Sequence, residues 1–300
     1  MIGLAIIRKM IAENVEVLVI ARPGSGRNAR IPVHPLVTIK ECDLSDLSGL
    51  DVEQGYDAFF HLAWAGTTGE ARNDMDLQTA NIRGTLEAVR LAHKLGCEVF
   101  VGAGSQAEYG RVPDGQKLSP DTPCFPENGY GIGKFCAGKM SRIEAEKLGM
   151  RHVWIRILSV YGPLDGMQSM VMSGMRQLCD GVRPQYTKGE QMWDYLYCDD
   201  AAEAFYLAAE KAPHASVYCL GSGKVRPLAE YITTIRDTVS PGADIGFGEI
   251  PYYPKQVMYL CADIDILSKD TGFLPKTSFE DGIRKTYEWY LTTLAEEKNT

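Results

Sequence analysis

The sequence predicts an α/β protein built on a doubly wound parallel sheet, with a smaller C-terminal α/β lobe. Up to about residue 165, short apolar runs of strand length alternate with longer segments of helical periodicity. Residues 15–21 are almost continuously apolar, which is typical of a parallel strand covered on both faces. After Pro163 the alternation becomes irregular. Residues 1–165 are therefore predicted to form the sheet domain, and residues 166–300 a smaller lobe partly interleaved with it.

The same periodicity places the individual elements. Residues 1–11 are predicted to form a helix and not a signal peptide, because Arg8 and Lys9 interrupt the apolar run and no small-residue cleavage site follows. The predicted strands are residues 15–21, 37–40, 57–62, 98–103 and 151–159, with short ones near residues 195 and 217. Further helices are predicted for residues 77–95, 130–148, 167–179, 199–210 and 228–239, and from about residue 278.

Composition narrows the class of protein. The 300 residues are 45% hydrophobic and 23% charged, as in an ordinary globular chain. The net charge of -8 and the sequence pI of about 5.3 argue against broad binding of nucleic acid or anionic membranes. The eight cysteines form no C-x-x-C pair, which favours reduced thiols in the cytoplasm over a disulfide framework. The five histidines are scattered, so no metal site is predicted.

Tyr130 and Lys134 are the first candidate catalytic residues. They lie four apart in a predicted helix, about one turn, so both side chains project from the same face. An ammonium beside a phenol stabilises the phenolate and lowers a pKa that is otherwise about 10. Such a tyrosine can exchange a proton with a substrate oxygen while a cofactor handles the hydride. The alternative is a half-buried tyrosine beside a solvated lysine. Ser105, at the end of an upstream apolar strand, is the expected third member.

Several stretches in a fixed order carry a family resemblance. Ser105 stands in GSQAEYG, and Tyr130 and Lys134 form Y-x-x-x-K. The chain thereby resembles the extended short-chain dehydrogenase/reductases, specifically the NAD(P)-dependent nucleotide-sugar epimerase/dehydratase family. The other matching stretches are residues 61–63 (H-L-A), 81–85 (N-I-R-G-T), Arg156 with 160–163 (V-Y-G-P), 194–200 and 219–223.

The resemblance implies a Rossmann-like fold, a nucleotide-sugar substrate and a homodimer. It makes Ser105, Tyr130 and Lys134 catalytic. The cofactor contacts it implies are Gly3, Arg22, Asp43, Leu44, Leu62, Ala63 and Asn81, together with Tyr130 and Lys134. The substrate contacts expected from position or resemblance are Trp64, Thr67, Ser105, Gln106, Ser159 and Trp193. For Trp64 and Thr67, core packing is an equal alternative. Trp193 stands where the family often has an arginine that grips the substrate diphosphate, and it is expected either to stack on a base or sugar or simply to pack.

The start of the chain departs from the family pattern. The family opens with a strand and G-x-x-G-x-x-G, whose glycines let backbone N–H groups approach the cofactor pyrophosphate. Gly3 matches only the last glycine, and the first strand and most of the glycine-rich loop are absent from this chain. That strand is central in a doubly wound sheet, so unpaired edges are expected in the middle. We expect that the natural protein carries further residues before Met1.

Two further departures bear on cofactor and reaction. An NAD enzyme usually has an acidic residue after the second strand, where this chain has Arg22; an arginine suits a 2′-phosphate, so NADP(H) is favoured over NAD(H). A solvated loop arginine is the alternative. Dehydratases follow the catalytic hydroxyl with Asp-Glu, whereas Gln106 and Ala107 stand here and cannot act as acid and base. That leaves 4-keto reduction as the favoured reaction and 4-epimerisation on a retained NAD as one alternative. A non-catalytic protein, either a cofactor sensor or a truncated scaffold, is the other.

Overall fold

Helices and strands alternate along the chain, in a computed structural model that describes residues 1–254 and 256–298. The first half contains α1 (Ile2–Ala12), β1 (Val17–Ala21), β2 (Val37–Glu41), β3 (Ala58–His61), α2 (Met75–Lys94), β4 (Val99–Ser105), α3 (Gly129–Lys147), β5 (Arg151–Ile157) and β6 (Ser159–Tyr161). The second half contains α4 (Met170–Cys179), β7 (Met192–Trp193), β8 (Tyr195–Tyr197), α5 (Cys198–Lys211), β9 (Ser216–Leu220), β10 (Arg226–Pro227), α6 (Leu228–Val239), β11 (Tyr259–Leu260), α7 (Asp265–Thr271) and α8 (Phe279–Lys298).

The central sheet is parallel and covered by helices on both faces. Its larger block has the strand order β3-β4-β5-β9, and β1 pairs with β2 in a second block. Alternate side chains of β4 point to opposite faces of the sheet and pack into different hydrophobic clusters. Val99 and Val101 pack with α1 and α5, whereas Phe100 packs with α2 and α3. The predicted doubly wound α/β fold is confirmed.

The C-terminal lobe interleaves with the sheet domain. Helices α4, α6 and α8 pack together beside the short strands β7, β10 and β11. However, β9 pairs with β5 and α5 packs on α1, so the second half of the chain supplies part of the first domain. The division at residues 165 and 166 stays a prediction.

The predicted elements are present, with one strand divided. The apolar run at residues 151–159 forms two strands: β5 ends at Ile157 and runs beside β9, whereas β6 begins at Ser159 and pairs with β8. Hydrophobicity alone does not reveal that the partner changes at Leu158. The short helix α7 and the two-residue strands β10 and β11 carry too little periodicity to be predicted.

A cavity separates the two blocks of the sheet. Among the described residues β1 and β3 have no strand between them, and the cavity, about 1760 Å³, is lined by both strands and by α1. The unpaired edges expected in the middle of the sheet are therefore found. That further residues precede Met1 stays a prediction.

The open edge of β1 predicts a pattern of amide exchange. Val17 N–H donates to Leu36 and the Ala21 carbonyl accepts from Cys42, so the odd-numbered residues of β1 face β2. Leu18 and Ile20 then turn their amides toward the cavity. In residue-resolved hydrogen exchange we expect both to exchange about fivefold faster than Val19, because a backbone hydrogen bond contributes on the order of 1 kcal/mol. Equal protection of all three would show that the edge is paired in solution.

Candidate active site

Ser105 lies at the carboxyl end of the buried strand β4. All seven residues of β4 are buried, and a 3-10 helix, Gln106–Glu108, follows it directly. The Ser105 hydroxyl accepts from the Ala107 N–H at 3.2 Å, and the Ser105 N–H donates to Glu108 Oε1 at 2.8 Å. These reciprocal bonds form a capping box, which fixes the serine at the edge where ligands bind in such sheets.

The first turn of α3 brings Tyr130 to Ser105. Asn128 caps the helix by accepting from the Gly131 N–H at 2.9 Å. A Cβ at Gly131 would lie 2.3 Å from the Ala107 carbonyl oxygen, so only glycine allows this close approach. The Ser105 side chain acts on the Tyr130 phenol as a hydrogen-bonding neighbour, which lowers the pKa of that phenol. Two hydroxyls that are 25 positions apart in the sequence thus face the same point.

The pKa of Tyr130 departs from the sequence-based prediction. Burial raises the pKa of the phenol, while the hydrogen bond from Ser105 and the charge of Arg72 act to lower it. The prediction that the neighbouring Lys134 lowers this pKa is wrong for this structure. The physical reason is that four-residue spacing fixes the shared face of a helix but not the partner that the ammonium finds.

Lys134 is buried and bound elsewhere. Its side chain is 4% exposed, its ammonium donates to the Ala103 carbonyl oxygen at 2.7 Å, and it lies 3.9 Å from the centroid of the Trp64 ring. Burial lowers the pKa of Lys134 to about 7. The Trp64 indole in turn packs edge-on against Tyr130, with ring centroids 6.2 Å apart. The alternative of a solvated lysine is therefore wrong, and Trp64 is the contact that joins the two residues.

A buried ion pair holds Glu108, the residue that accepts the hydrogen bond from the Ser105 N–H. Arg156 Nε donates to Glu108 Oε2 at 2.7 Å, and their side chains are 4% and 1% exposed. Arg156 also donates to the Tyr109 hydroxyl at 2.9 Å, and Trp154 Nε1 donates to Glu108 Oε1 at 2.9 Å. The carboxylate that accepts from the Ser105 N–H is thereby held in place.

The cavity beside this cluster gathers the predicted cofactor residues. It is the cavity between β1 and β3, and Trp64 lines it, whereas Ser105, Tyr130 and Lys134 are not among its lining residues. Because the volume of about 1760 Å³ takes in the gap between the two sheet blocks, the fit to a dinucleotide rests on Arg22 and Arg27, whose guanidinium groups suit phosphates. Asn81 has both polar atoms engaged, since its side-chain amide pairs with the backbone of Ala65 in both directions at 2.9 Å. The predicted cofactor residues that line the cavity are Gly3, Arg22, Asp43, Leu44, Leu62, Ala63 and Asn81.

The predicted substrate residues fall into two groups. Gln106 and Thr67 follow the carboxyl ends of β4 and β3, on the side of the sheet where Ser105 lies. Ser159 and Trp193 instead contact each other, because Trp193 Nε1 donates to Ser159 Oγ at 2.8 Å. The indole also packs against two core clusters, so the packing alternative describes Trp193 better than base stacking does.

Sequence reasoning missed two charged residues of the site. Glu108 stands three positions after Ser105, a spacing typical of a capping box, and that signal was available in the sequence. Arg72 lies 58 positions before Tyr130 with no motif around it, yet its guanidinium lies over the phenol ring.

Within residues 1–254 and 256–298, no group of three His, Cys, Asp or Glu side chains forms a metal-ligand set, and no helix is long and apolar enough to cross a membrane.

The fold is that of the short-chain dehydrogenase/reductases. Residues 1–221 match the model of the NAD dependent epimerase/dehydratase family, and the chain belongs to that family. Members of this family are enzymes that act on nucleotide sugars.

Curated relatives and solved structures agree with this assignment. A dTDP-glucose 4,6-dehydratase of Escherichia coli is 24% identical over 280 residues, covering 83% of this chain and 77% of that protein. A dTDP-4-dehydro-6-deoxyglucose reductase of the same organism is 26% identical over 231 residues, covering 75% and 72%. The structure of a UDP-N-acetylglucosamine 4-epimerase from Methanobrevibacter ruminantium, 23% identical, superimposes with a TM-score of 0.87 over 98% of this chain and 96% of that one.

Proposed function

We propose that this protein reduces the 4-keto group of a nucleotide-activated sugar or deoxysugar, with NADPH as the reductant. The observation that carries the proposal is that Ser105 acts on the Tyr130 phenol at the carboxyl edge of the sheet. Trp64 contacts both Tyr130 and Lys134 and also lines the cavity that gathers the predicted cofactor residues. Gln106 and Ala107 occupy the positions where dehydratases of the family have Asp-Glu. Neither side chain can transfer protons in water elimination, so reduction is favoured over dehydration.

The residues of the cluster have distinct roles in this reaction. Ser105 donates a hydrogen bond to the C4 oxygen of the substrate, which orients and polarises the carbonyl. Tyr130 gives its phenolic proton to that oxygen. The chemistry supplied by the bound dinucleotide is a hydride for C4, so that NADPH leaves as NADP⁺. The Lys134 ammonium would bind the ribose attached to the nicotinamide. To do so, the ammonium has to leave its contact with the Trp64 indole.

The proposal is tested by a screen of 4-keto nucleotide sugars with NADPH and with NADH. We expect absorbance loss from the reduced dinucleotide with at least one sugar, and the corresponding 4-hydroxy product. A purified protein that carries bound NAD(H) and interconverts 4-epimers without added reductant would instead be a 4-epimerase, the second candidate, which the superposition on a 4-epimerase favours. If the protein carries no bound dinucleotide, turns over no sugar, and neither NADPH nor NADH raises its melting temperature, both enzyme proposals fail.

Arg22 is proposed to select NADP(H). It is exposed at the end of β1 and lines the cavity, where a guanidinium can bind a 2′-phosphate. We expect Arg22→Gln to lower kcat/KM for NADPH by about 10- to 100-fold, the effect of losing a charged hydrogen bond, with little change for NADH. Arg8→Gln is the matched control, because Arg8 lies on the exposed side of α1 and pairs with Asp199. An equal loss with both dinucleotides would contradict NADP(H) selection.

A homodimer formed through α3 is also proposed. Ile132, Met140 and Ile143 repeat on one face of α3 and are 51%, 41% and 57% exposed. We expect sedimentation analysis to give a dimer, and Ile143→Glu to give a monomer. The control is Ile266→Glu on α7, at a residue that is 41% exposed. A parent protein that sediments as a monomer rules the proposal out.

The eight free thiols favour a reducing compartment, so we place the protein in the cytoplasm.

A further inference from the structure

A half-buried arginine lies against the phenol of Tyr130. Arg72 belongs to the 3-10 helix Gly69–Asn73, which follows β3. Its guanidinium carbon lies 4.4 Å from the centroid of the Tyr130 ring, within the range of a cation–π contact. Its Nη1 donates to the Thr67 carbonyl oxygen at 3.0 Å. The guanidinium is therefore held between a backbone acceptor and the aromatic ring.

Backbone contacts fix this arrangement on the turn that carries Tyr130. The Gly129 N–H donates to Asn73 Oδ1 at 3.0 Å, which docks the 3-10 helix on the first turn of α3. A Cβ at Gly129 would lie 2.9 Å from the Arg72 carbonyl oxygen, so the glycine permits the close approach. Arg72 and Tyr130 thus move as one unit.

The charge of Arg72 is not neutralised by a carboxylate. In the part of the chain that the structure describes, Arg72 takes part in no ion pair. An arginine remains protonated at any pH that the fold tolerates, so a full positive charge faces the phenol. Lys134 contacts the indole of Trp64 instead. Glu108, the nearby carboxylate, is paired with Arg156.

We propose that Arg72 is a positioning residue for proton transfer, whose fixed charge holds the Tyr130 ring and stabilises the phenolate left when the proton passes to the substrate oxygen. This inference rests on the proposed reduction. Two charges from other elements act on Tyr130: Arg72 favours the anion, and Glu108 opposes it. Arg72 therefore adds to the phenol a cationic contact that lies outside the four-residue motif.

The test replaces Arg72 by glutamine and by lysine and measures the ionisation of residue 130. A fluorinated tyrosine, whose phenol ionises closer to neutrality, is placed at position 130 and titrated by ¹⁹F NMR without substrate. We expect R72Q to raise the titration midpoint by about 0.5–1 pH unit, and R72K to leave it close to that of the parent. R142Q, at an exposed residue of the same helix that pairs with Glu146, is the control and should not move it.

Activity gives a second, separate readout. In the reductase assay, R72Q should shift the alkaline limb of the kcat profile upward by a similar amount, because Tyr130 must be protonated to act as an acid. A midpoint within about 0.2 pH units of the parent in folded R72Q overturns the inference, and so does an equal shift in R72K. The NMR shift with no turnover of any sugar would retain the role of Arg72 and refute the reductase. If R72Q does not fold, R72K alone decides. A titration midpoint that shifts by about 0.5 pH units or more in R72K contradicts the role of the positive charge, and an unshifted midpoint supports it.

Discussion

Replacing Tyr130 by phenylalanine is expected to slow the chemical step by about 100-fold or more. The change removes the proton donor and leaves the ring, so its packing against Trp64 and Arg72 is retained. The Ser105 hydroxyl cannot replace the phenol, because an alcohol is a much weaker acid than a phenol. The rate is measured in single-turnover reactions with NADPH and the 4-keto sugar found in the screen. KM for the dinucleotide should stay near that of the parent.

A matched substitution separates chemistry from general damage. Tyr253 is 74% exposed in a surface loop, so Tyr253→Phe loses a hydroxyl without touching the site and should turn over normally. The melting temperatures of both variants should be close to that of the parent. Near-normal turnover in Tyr130→Phe would remove Tyr130 from the mechanism.

Replacing Arg156 by methionine is expected to lower the free energy of unfolding by about 3–5 kcal/mol. Glu108 would then remain as a buried carboxylate, with only the Ser105 N–H and the Trp154 indole as donors. The contact of the guanidinium with the Tyr109 ring, 4.6 Å from its centroid, is lost as well. Denaturant unfolding followed by circular dichroism measures the change.

Two further variants identify the cause of that loss. Glu108→Gln combined with Arg156→Met removes the buried charge, so the double variant should be more stable than Arg156→Met alone. Arg142→Met breaks an exposed pair with Glu146 and should change stability by no more than about 0.5 kcal/mol. A loss below about 1 kcal/mol in Arg156→Met, or a double variant less stable than the single one, would contradict the role assigned to the ion pair.

The sheet and most helices were predictable because their signals are local. The apolar run at residues 15–21 and the apolar face of α6 can each be recognised from about ten consecutive residues. The periodicity of the apolar positions then indicates which side chains are buried. The boundary between β5 and β6 was not predictable, because it depends on which distant strand lies alongside. β9 and β8 are each more than 30 residues away in the sequence.

The candidate site was likewise predictable only in its local sequence motifs. Ser105, Tyr130 and Lys134 lie in recognisable motifs, and the structure brings the first two together. The electrostatics were not predictable, since they depend on burial and on contacts between distant segments. Trp64 takes the ammonium of Lys134, and Arg72 takes the place beside the phenol. A motif therefore identifies which groups meet, but not which charge acts on which.

The most direct test of the account follows deuterium from the dinucleotide to the sugar. The protein is incubated with a 4-keto nucleotide sugar and NADPH carrying deuterium on both positions of the nicotinamide C4, and the product is analysed by NMR and mass spectrometry. The account predicts one deuterium on C4 of the new 4-hydroxy sugar for each NADPH oxidised. A product with hydrogen at C4, or interconversion of 4-epimers without NADPH consumption, would contradict it.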